Sequence, residues 1–308
     1  MSRHIPILVN EVIAALQADA PGTTRLIDGT VGGGGHSFAL LEAGIDALLA
    51  CDRDANAIEI ARQRLAGFHD RVYFYRGSYV DMQDAARDLG WQTVDAILLD
   101  LGLSSMQIDD PARGFSFRFD APLDMRFDRD AAGYTAGDLV NGLATEELAD
   151  LFFRYGEERH SHRIAREISR QRPITSTRIL AEVIADAVPA AAKRKSRVHP
   201  ATKVFQALRI AVNQELDAVK KVLPIAVDLL RPGGRLAVIT FHSLEDRLVK
   251  QAFKLLSTSV VAPPGMASLE ERRACVKLVN RKPVIPDPAE VNANPRSRSA
   301  KLRVVERL

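Results

Sequence analysis

The sequence has little cysteine and lacks any hydrophobic run long enough to cross a membrane. Its 308 residues include two cysteines, Cys51 and Cys275, which cannot form a disulfide framework and do not have the spacing of zinc ligands. We therefore expect no metal site and a reducing, cytoplasmic compartment. No apolar stretch approaches the ~18 residues of a membrane span, and the first residues lack the apolar core of a signal peptide.

The remaining composition is that of a globular protein, and the 308 residues favour two domains. The net charge of +3 conceals an uneven distribution, because residues 1–153 carry a net charge of −12, residues 154–209 carry +8 and residues 210–308 carry +7. Segregated basic segments are typical of proteins that bind polyphosphates. The alternative is a set of solvated helix faces.

A glycine-rich turn follows the first predicted strand, Arg25–Asp28. Four glycines, 32–35, lead into a predicted helix, an arrangement that brings backbone N–H groups close to a ligand. A second predicted strand ends just before Asp52, the position at which folds of this kind hold a ribose diol. The alternatives are a tight turn without a ligand and a helix cap at Asp52, although Asp54 is the better-placed cap.

Predicted strands and helices alternate over the first hundred residues, with strands at 71–75 and 95–99, which indicates a parallel sheet covered on both faces. The next predicted strand is 235–241, much farther away than one crossover requires. The intervening segment has helical periodicity. We expect an α/β domain of residues 1–106 and 217–308, interrupted by an all-helical domain of residues 107–216. The helices predicted within the insertion are 145–155, 160–170, Thr177–Ala187 and 200–216. The helices predicted after the insertion are 220–230 and 244–256, and a late edge strand is predicted at 301–306.

Eight short motifs occur in order along nearly the whole chain. They are HIPILVNEV from His4, DGTVGGGGHS from Asp28, DLGLSS from Asp100, GFSFRFDAPLDMR from Gly114, YGEER from Tyr155, HPATKVFQALRI from His199, FHSLEDR from Phe241 and NPRSRS from Asn294. Together they resemble class I S-adenosylmethionine methyltransferases and, within them, the ribosomal small subunit methyltransferase H family.

That resemblance implies a Rossmann-like, mostly parallel sheet with an inserted all-helical substrate-binding domain. It also implies S-adenosyl-L-methionine as cofactor and N4-methylation of a cytidine in the decoding region of 16S rRNA. The expected partner is therefore 16S rRNA or the small ribosomal subunit, with no membrane; a monomer and a dimer both remain open. The cofactor-binding residues that the resemblance implies are Gly33, Gly34, Gly35, His36, Asp52, Tyr79, Asp100 and Gln107.

Asp100 is also the candidate catalytic residue, because it follows the fourth predicted strand, where ligands of open sheets bind. Methyl transfer to an exocyclic amine depends on positioning, and an acceptor that holds the amino protons can aim the nitrogen lone pair. Many amino methyltransferases carry an Asp/Asn/Ser-Pro-Pro-aromatic motif here, whereas this chain has Asp-Leu-Gly-Leu. Asp100 could instead serve only the cofactor, with Ser104, Ser105 or backbone carbonyls meeting the amine.

Two basic features are candidate RNA contacts. Phe115, Phe117 and Phe119 are interleaved with the arginines at 113, 118 and 126. Such rings and guanidinium groups can stack on a splayed-out base; the alternative is a hydrophobic cluster that joins two domains. The basic segment 193–197 is expected to bind rRNA phosphates. A nicotinamide dehydrogenase and a non-catalytic RNA-binding protein are the competing interpretations, which a comparison of S-adenosylmethionine and NAD binding would separate.

Overall fold

The computed structural model describes residues 6–17, 22–195, 198–260 and 272–308. They divide into two compact units, Met1–Gly102 with Leu216–Leu308, and Leu103–Glu215. The domain bounds expected from the sequence, after residues 106 and 216, differ from these by four residues and by one.

The first unit is built on a sheet to which seven described strands contribute, in the order β3-β2-β1-β4-β5-β7-β6. Strands β3, β2, β1, β4 and β5 are parallel, and β7 is antiparallel to β5 and β6. The mostly parallel, Rossmann-like sheet is thus confirmed. The strands are β1 (Arg25–Asp28), β2 (Ala47–Asp52), β3 (Val72–Arg76), β4 (Val94–Asp100), β5 (Leu230–Thr240), β6 (Val276–Leu278) and β7 (Lys301–Arg307).

Helices account for the rest of the regular structure. In chain order they are α1 (Val9–Leu16), α2 (Gly35–Glu42), α3 (Ala55–Arg64), α4 (Met82–Asp88), α5 (Ser105–Asp109), α6 (Ala136–Gly142), α7 (Thr145–Gly156), α8 (Ser161–Arg170), α9 (Thr177–Ala187), α10 (Ala190–Lys195), α11 (Ala201–Asn213), α12 (Glu215–Leu229), α13 (Ser243–Leu256) and α14 (Pro288–Ala293). None of the helices in the described ranges is both long and apolar enough to cross a membrane.

Successive residues of β4 enter opposite cores, which is why residues 96–99 are all apolar. Ala96 and Leu98 join a cluster with residues of α1, α2 and α3, whereas Ile97 and Leu99 join a cluster with residues of α4, α12 and α13. The strand order reverses between β1 and β4, and ligands of open sheets bind in the crevice beyond the carboxyl ends of the strands at such a point.

The second unit is helical, and its core is formed by α6 to α9 and α11 around the fully buried Phe152. Helix α7 ends at Gly156, where an added Cβ would lie 2.6 Å from the carbonyl oxygen of Lys203 in α11. The two helices can therefore approach this closely only because residue 156 has no side chain.

Two predictions about elements are wrong. The helix expected at 200–216 ends at Asn213, because Gln214 adopts a left-handed conformation (φ 52°) and α12 begins at Glu215. The apolar periodicity continues across this break, so the sequence pattern does not reveal it. The strand expected at the edge, 301–306, is interior, since β7 pairs with β5 on one side and with the three-residue β6 on the other.

Candidate active site

The turn after β1 is fixed by the carboxylate of Asp28, which is 1% exposed. It accepts hydrogen bonds from Ser37 Oγ (2.7 Å) and from the backbone N–H of Thr30 (3.1 Å). Gly34 precedes α2 in a left-handed conformation (φ 74°), and an added Cβ would lie 3.3 Å from Ala61 Cα. Gly34 is therefore required for both conformation and space. The turn places the N-terminus of α2 at the carboxyl edge of the sheet.

Asp52 lies at the carboxyl end of β2 and holds the same turn from the other side. Its Oδ2 accepts from Gly32 N and its Oδ1 from Asp54 N, both at 2.9 Å. Burial raises the pKa of Asp52 to about 6, although both backbone hydrogen bonds oppose the shift. Each carboxylate oxygen can still accept a further bond. Asp54 caps α3 by accepting from Asn56 N at 3.0 Å, as the sequence indicated.

Asp100 ends β4, and its two carboxylate oxygens differ. Oδ2 lies 3.5 Å from His36 Nδ1, whereas Oδ1 is buried and has no hydrogen-bond partner among the described residues. The backbone N–H of Asp100 donates to Thr30 Oγ1 at 2.7 Å. Burial raises the pKa of Asp100 to about 6; His36 opposes the shift, and the charges of Asp28 and Glu245 add to it.

The orientation of the His36 ring follows from its second contact. His36 Nε2 lies 2.8 Å from the carbonyl oxygen of Ile7, which can only accept, so Nε2 carries a proton. Nδ1 is left facing Asp100. The structure thus brings together His36 and Asp100, two residues that the resemblance assigns to the cofactor, and Gly34 immediately precedes the helix that carries His36.

Tyr79 lies beside the first residue after β1. It begins the short 3-10 turn Tyr79–Asp81, capped by Ser78 Oγ, and packs half-buried against the apolar cluster that contains Leu99. A Cβ on Gly29 would lie 3.1 Å from Tyr79 Cβ and 2.6 Å from Leu99 Cδ2. The absence of a side chain at Gly29 therefore allows Tyr79 to approach the end of the sheet.

Gln107 belongs to the helical unit, where it is buried at the start of α5. Its Oε1 accepts from Ser104 N at 3.1 Å, and Ser104 Oγ accepts from Gln107 N at 3.2 Å. In this reciprocal capping box, the side-chain oxygen of each residue accepts a hydrogen bond from the backbone N–H of the other. The assignment of Gln107 to the cofactor stays a prediction.

Two residues at the end of the sheet were not singled out from the sequence. Thr30 connects the turn after β1 to β4. The sequence feature that could have identified it is the Asp-Gly-Thr segment before the glycines. Glu245 is 1% exposed at the start of α13; its Oε2 accepts from Phe241 N at 2.9 Å, and its Oε1 lies 3.1 Å from His242 Nε2. The sequence feature that could have identified Glu245 is the FHSLEDR motif.

The aromatic loop of the helical unit presents one ring to solvent rather than three. Phe115 is buried in the helical core, and Phe117 packs against His199 and Phe205, with ring centroids 4.7 Å and 5.1 Å apart. Only Phe119, which is 45% exposed, extends outward, next to the exposed Arg118. Of the two alternatives, the hydrophobic cluster describes Phe115 and Phe117, and Phe119 stays a candidate for stacking.

The whole chain is similar to proteins of one family. The family model described as MraW methylase family matches residues 1–308. The ribosomal RNA small subunit methyltransferase H of Syntrophotalea carbinolica is 49% identical over 312 residues, covering 99% of this chain and 98% of the relative. The protein of the same name from Nitratidesulfovibrio vulgaris is 49% identical over 311 residues, covering 99% and 86%.

Among solved structures, an rRNA methylase from Streptococcus thermophilus aligns over 97% of this chain and 93% of its own, with a TM-score of 0.42 and 10% identity. The family assignment does not depend on that likeness. Because the family model matches throughout and the relatives are nearly half identical, the predicted fold class and enzyme class are confirmed. The chain belongs to the MraW methylase family, the S-adenosylmethionine-dependent methyltransferases that its sequence motifs resemble.

Proposed function

We propose that this enzyme transfers a methyl group from S-adenosylmethionine to the N4 amino group of a cytidine in the decoding region of 16S rRNA, in the cytoplasm. The ribosomal RNA specificity is supported by the names of the relatives, each called a ribosomal RNA small subunit methyltransferase H. The cytidine and its N4 atom come from the sequence resemblance. One structural observation carries the chemistry: Oδ1 of Asp100 is buried and has no hydrogen-bond partner in the part of the chain that the structure describes.

The first unit has the groups that the cofactor requires. Asp52 ends β2 with oxygens that can accept from a ribose diol, and the half-buried Tyr79 beside Gly29 is the candidate contact for the adenine ring. When bound, S-adenosylmethionine supplies an electrophilic methyl group on a positively charged sulfur. The carboxylates of Asp28, Asp52 and Asp100 end three adjacent strands, so their combined field favours a cationic ligand there.

Asp100 is placed to handle the proton of the reaction. Methyl transfer would form the bond from nitrogen to the methyl carbon and leave the electron pair of the carbon–sulfur bond on sulfur, so the amino nitrogen would have a proton to lose. An acceptor at Oδ1 holds that proton and aims the nitrogen lone pair. With a pKa of about 6, Asp100 is ionised at neutral pH and still basic enough to accept a proton transiently.

His36 acts on this carboxylate through the other oxygen. Because Ile7 O fixes Nε2, the ring presents Nδ1 to Asp100 Oδ2 at 3.5 Å and leaves Oδ1 free to face a ligand. His36 is thus a positioning residue for Asp100. The alternative, in which Asp100 serves only the cofactor, predicts that its loss weakens cofactor affinity without abolishing turnover.

The helical unit supplies the candidate contacts to RNA. Phe119 and Arg118 are exposed on a loop that is held from both sides, since Thr177 Oγ1 donates to the carbonyl oxygen of Phe119 at 2.7 Å and accepts from Ala121 N at 3.0 Å. A ring and a guanidinium on a fixed loop form a platform for an unstacked base. In the expected phosphate-binding segment 193–197, residues 196 and 197 lie outside the described residues.

The decisive experiment supplies S-adenosylmethionine with a labelled methyl group to the enzyme together with naked 16S rRNA or assembled small subunits, followed by nucleoside analysis. Recovery of the label in N4-methylcytidine is expected. Label on a ring carbon, a ribose or another base would contradict the proposal. Calorimetry with S-adenosylmethionine and NAD separates the competing functions, since binding of the first alone is expected.

A further inference from the structure

Helix α8 separates apolar and basic residues more sharply than its neighbours do. Ile164, Ala165 and Ile168 are buried in the helical core. The opposite face is exposed and carries four basic-type side chains, which are His162, Arg163, Arg166 and Arg170. The three arginines follow helical spacing and extend over about 10 Å of the helix axis, long enough to contact more than one phosphate.

These arginines are largely uncompensated. Neither Arg163 nor Arg166 forms a salt bridge with any residue that the structure describes, and Arg166 Nε donates along the helix to His162 O at 3.3 Å. Arg170 pairs with Glu167 at 2.6 Å, but Arg170 is 75% exposed, and an exposed pair of this kind is easily exchanged for another partner. The face therefore carries positive charge that the helical unit itself does not neutralise.

The adjacent helix α7 lacks such an excess of positive charge. Its exposed residues include three carboxylates, Glu146, Glu147 and Asp150, and its Arg154 pairs with Asp150 at 3.1 Å. The excess of positive charge on α8 is thus not shared by α7.

We propose that this face of α8, defined by His162, Arg163, Arg166 and Arg170, is the surface by which the helical unit binds backbone phosphates of its ribosomal RNA substrate. This inference rests on the proposed function. Guanidinium groups suit phosphate oxygens because they can donate two parallel hydrogen bonds. Contacts to phosphates fix the register of the RNA and leave the choice of base to the site.

The test compares two double variants of equal charge. R163Q/R166Q removes two positive charges from the α8 face. R87Q/R154Q is the control, because it removes two positive charges from exposed arginines elsewhere, each of which is paired with an aspartate. Affinity for naked 16S rRNA and for small subunits is measured between about 50 and 200 mM salt. We expect roughly tenfold weaker binding for R163Q/R166Q at the lower salt concentration and a salt slope reduced by about 1.4 to 1.8. The control keeps the wild-type slope.

A third variant, R163K/R166K, retains the charges and is expected to keep the wild-type salt slope and to lose less affinity than R163Q/R166Q, because lysine keeps the charge but not the paired hydrogen bonds. Equal behaviour of R163Q/R166Q and R87Q/R154Q would overturn the α8 surface while leaving methylation of 16S rRNA intact. Weaker binding with an unchanged salt slope, or an equal loss in the lysine variant, would also overturn it, because phosphate contacts depend on charge. Wild-type enzyme that neither binds nor methylates 16S rRNA in either form would overturn the proposed function, and the surface with it.

Discussion

His36 Nδ1 lies 3.5 Å from Asp100 Oδ2, and the opposite ring nitrogen of His36 is held by the carbonyl oxygen of Ile7. Three separate parts of the chain therefore determine the orientation of one carboxylate. Because Oδ1 of the same group is buried without a partner among the described residues, Asp100 is stabilised on one side only. Such an arrangement costs stability and is typical of a site kept for function.

Replacement of Asp100 by Asn should stabilise the protein and abolish methyl transfer. The pKa of Asp100 is raised to about 6 by burial, from an ordinary value of 3.8, so the folded state binds its proton more tightly than the unfolded state. Ionisation at neutral pH then costs up to about 3 kcal/mol, which an amide avoids. We expect a melting temperature several degrees higher at about pH 7.5.

The pH dependence of the melting temperature provides the control for that variant. The stabilising contribution of a protonated Asp100 is present at low pH and is lost as the pH rises through about 6. The difference between variant and wild type should therefore shrink near pH 4.5. An equal difference at both pH values would rule out ionisation as the cause, and retained turnover with weaker cofactor binding would assign Asp100 to the cofactor alone.

Methyl transfer by the wild-type enzyme should increase with pH through about 6 and then level off. The pKa values of both Asp52 and Asp100 are raised to about 6 by burial, and each group is a stronger hydrogen-bond acceptor as an ionised carboxylate than as a neutral acid. Two such groups give a steeper rise in the logarithm of the rate than one. Rate profiles of the wild type and of Asp52→Asn should show a steep rise and a shallower rise, respectively. Identical slopes would contradict a role for Asp52.

Replacement of His36 by Gln should move this pH profile to higher values. The charge of His36 lowers the pKa of Asp100, so its removal leaves burial and the neighbouring carboxylates to raise that pKa further. The midpoint of the rate profile should increase from about 6, with a decrease in kcat larger than the change in KM. A merely structural role would lower activity at every pH without moving the midpoint.

Much of this site could be predicted because its parts are local in sequence. The glycine turn, Asp52 and Asp100 each follow an apolar strand, and the carboxyl ends of parallel strands meet at one edge of a sheet. The contact between His36 and Ile7 could not be predicted in this way. It joins a side chain to a backbone carbonyl 29 residues away, and any residue with a carbonyl group could have supplied it.

The positions of helices in the helical unit could be predicted from sequence, but the long-range contacts at the end of α11 could not. Periodicity located α7, α8 and α9 because each buries one apolar face. The end of α11 depends on Asn213, whose amide donates to Met125 O at 2.7 Å and whose Oδ1 accepts from Phe127 N at 2.7 Å. These partners are more than eighty positions away, so no window of sequence contains the signal.

Replacement of Gly156 by Ala should destabilise the helical unit by about 1–3 kcal/mol, even though alanine favours helices by up to about 1 kcal/mol over glycine. The added Cβ would lie 2.6 Å from Lys203 O, and a backbone carbonyl inside α11 cannot move without shifting that helix. Gly142→Ala is the matched control, because a Cβ there meets nothing within 4 Å. Urea unfolding of both variants measures the effect, with the control expected at or slightly above wild-type stability. Equal stability of the two variants would mean that α7 and α11 have room to separate, and the glycine in the YGEER motif would then need another explanation.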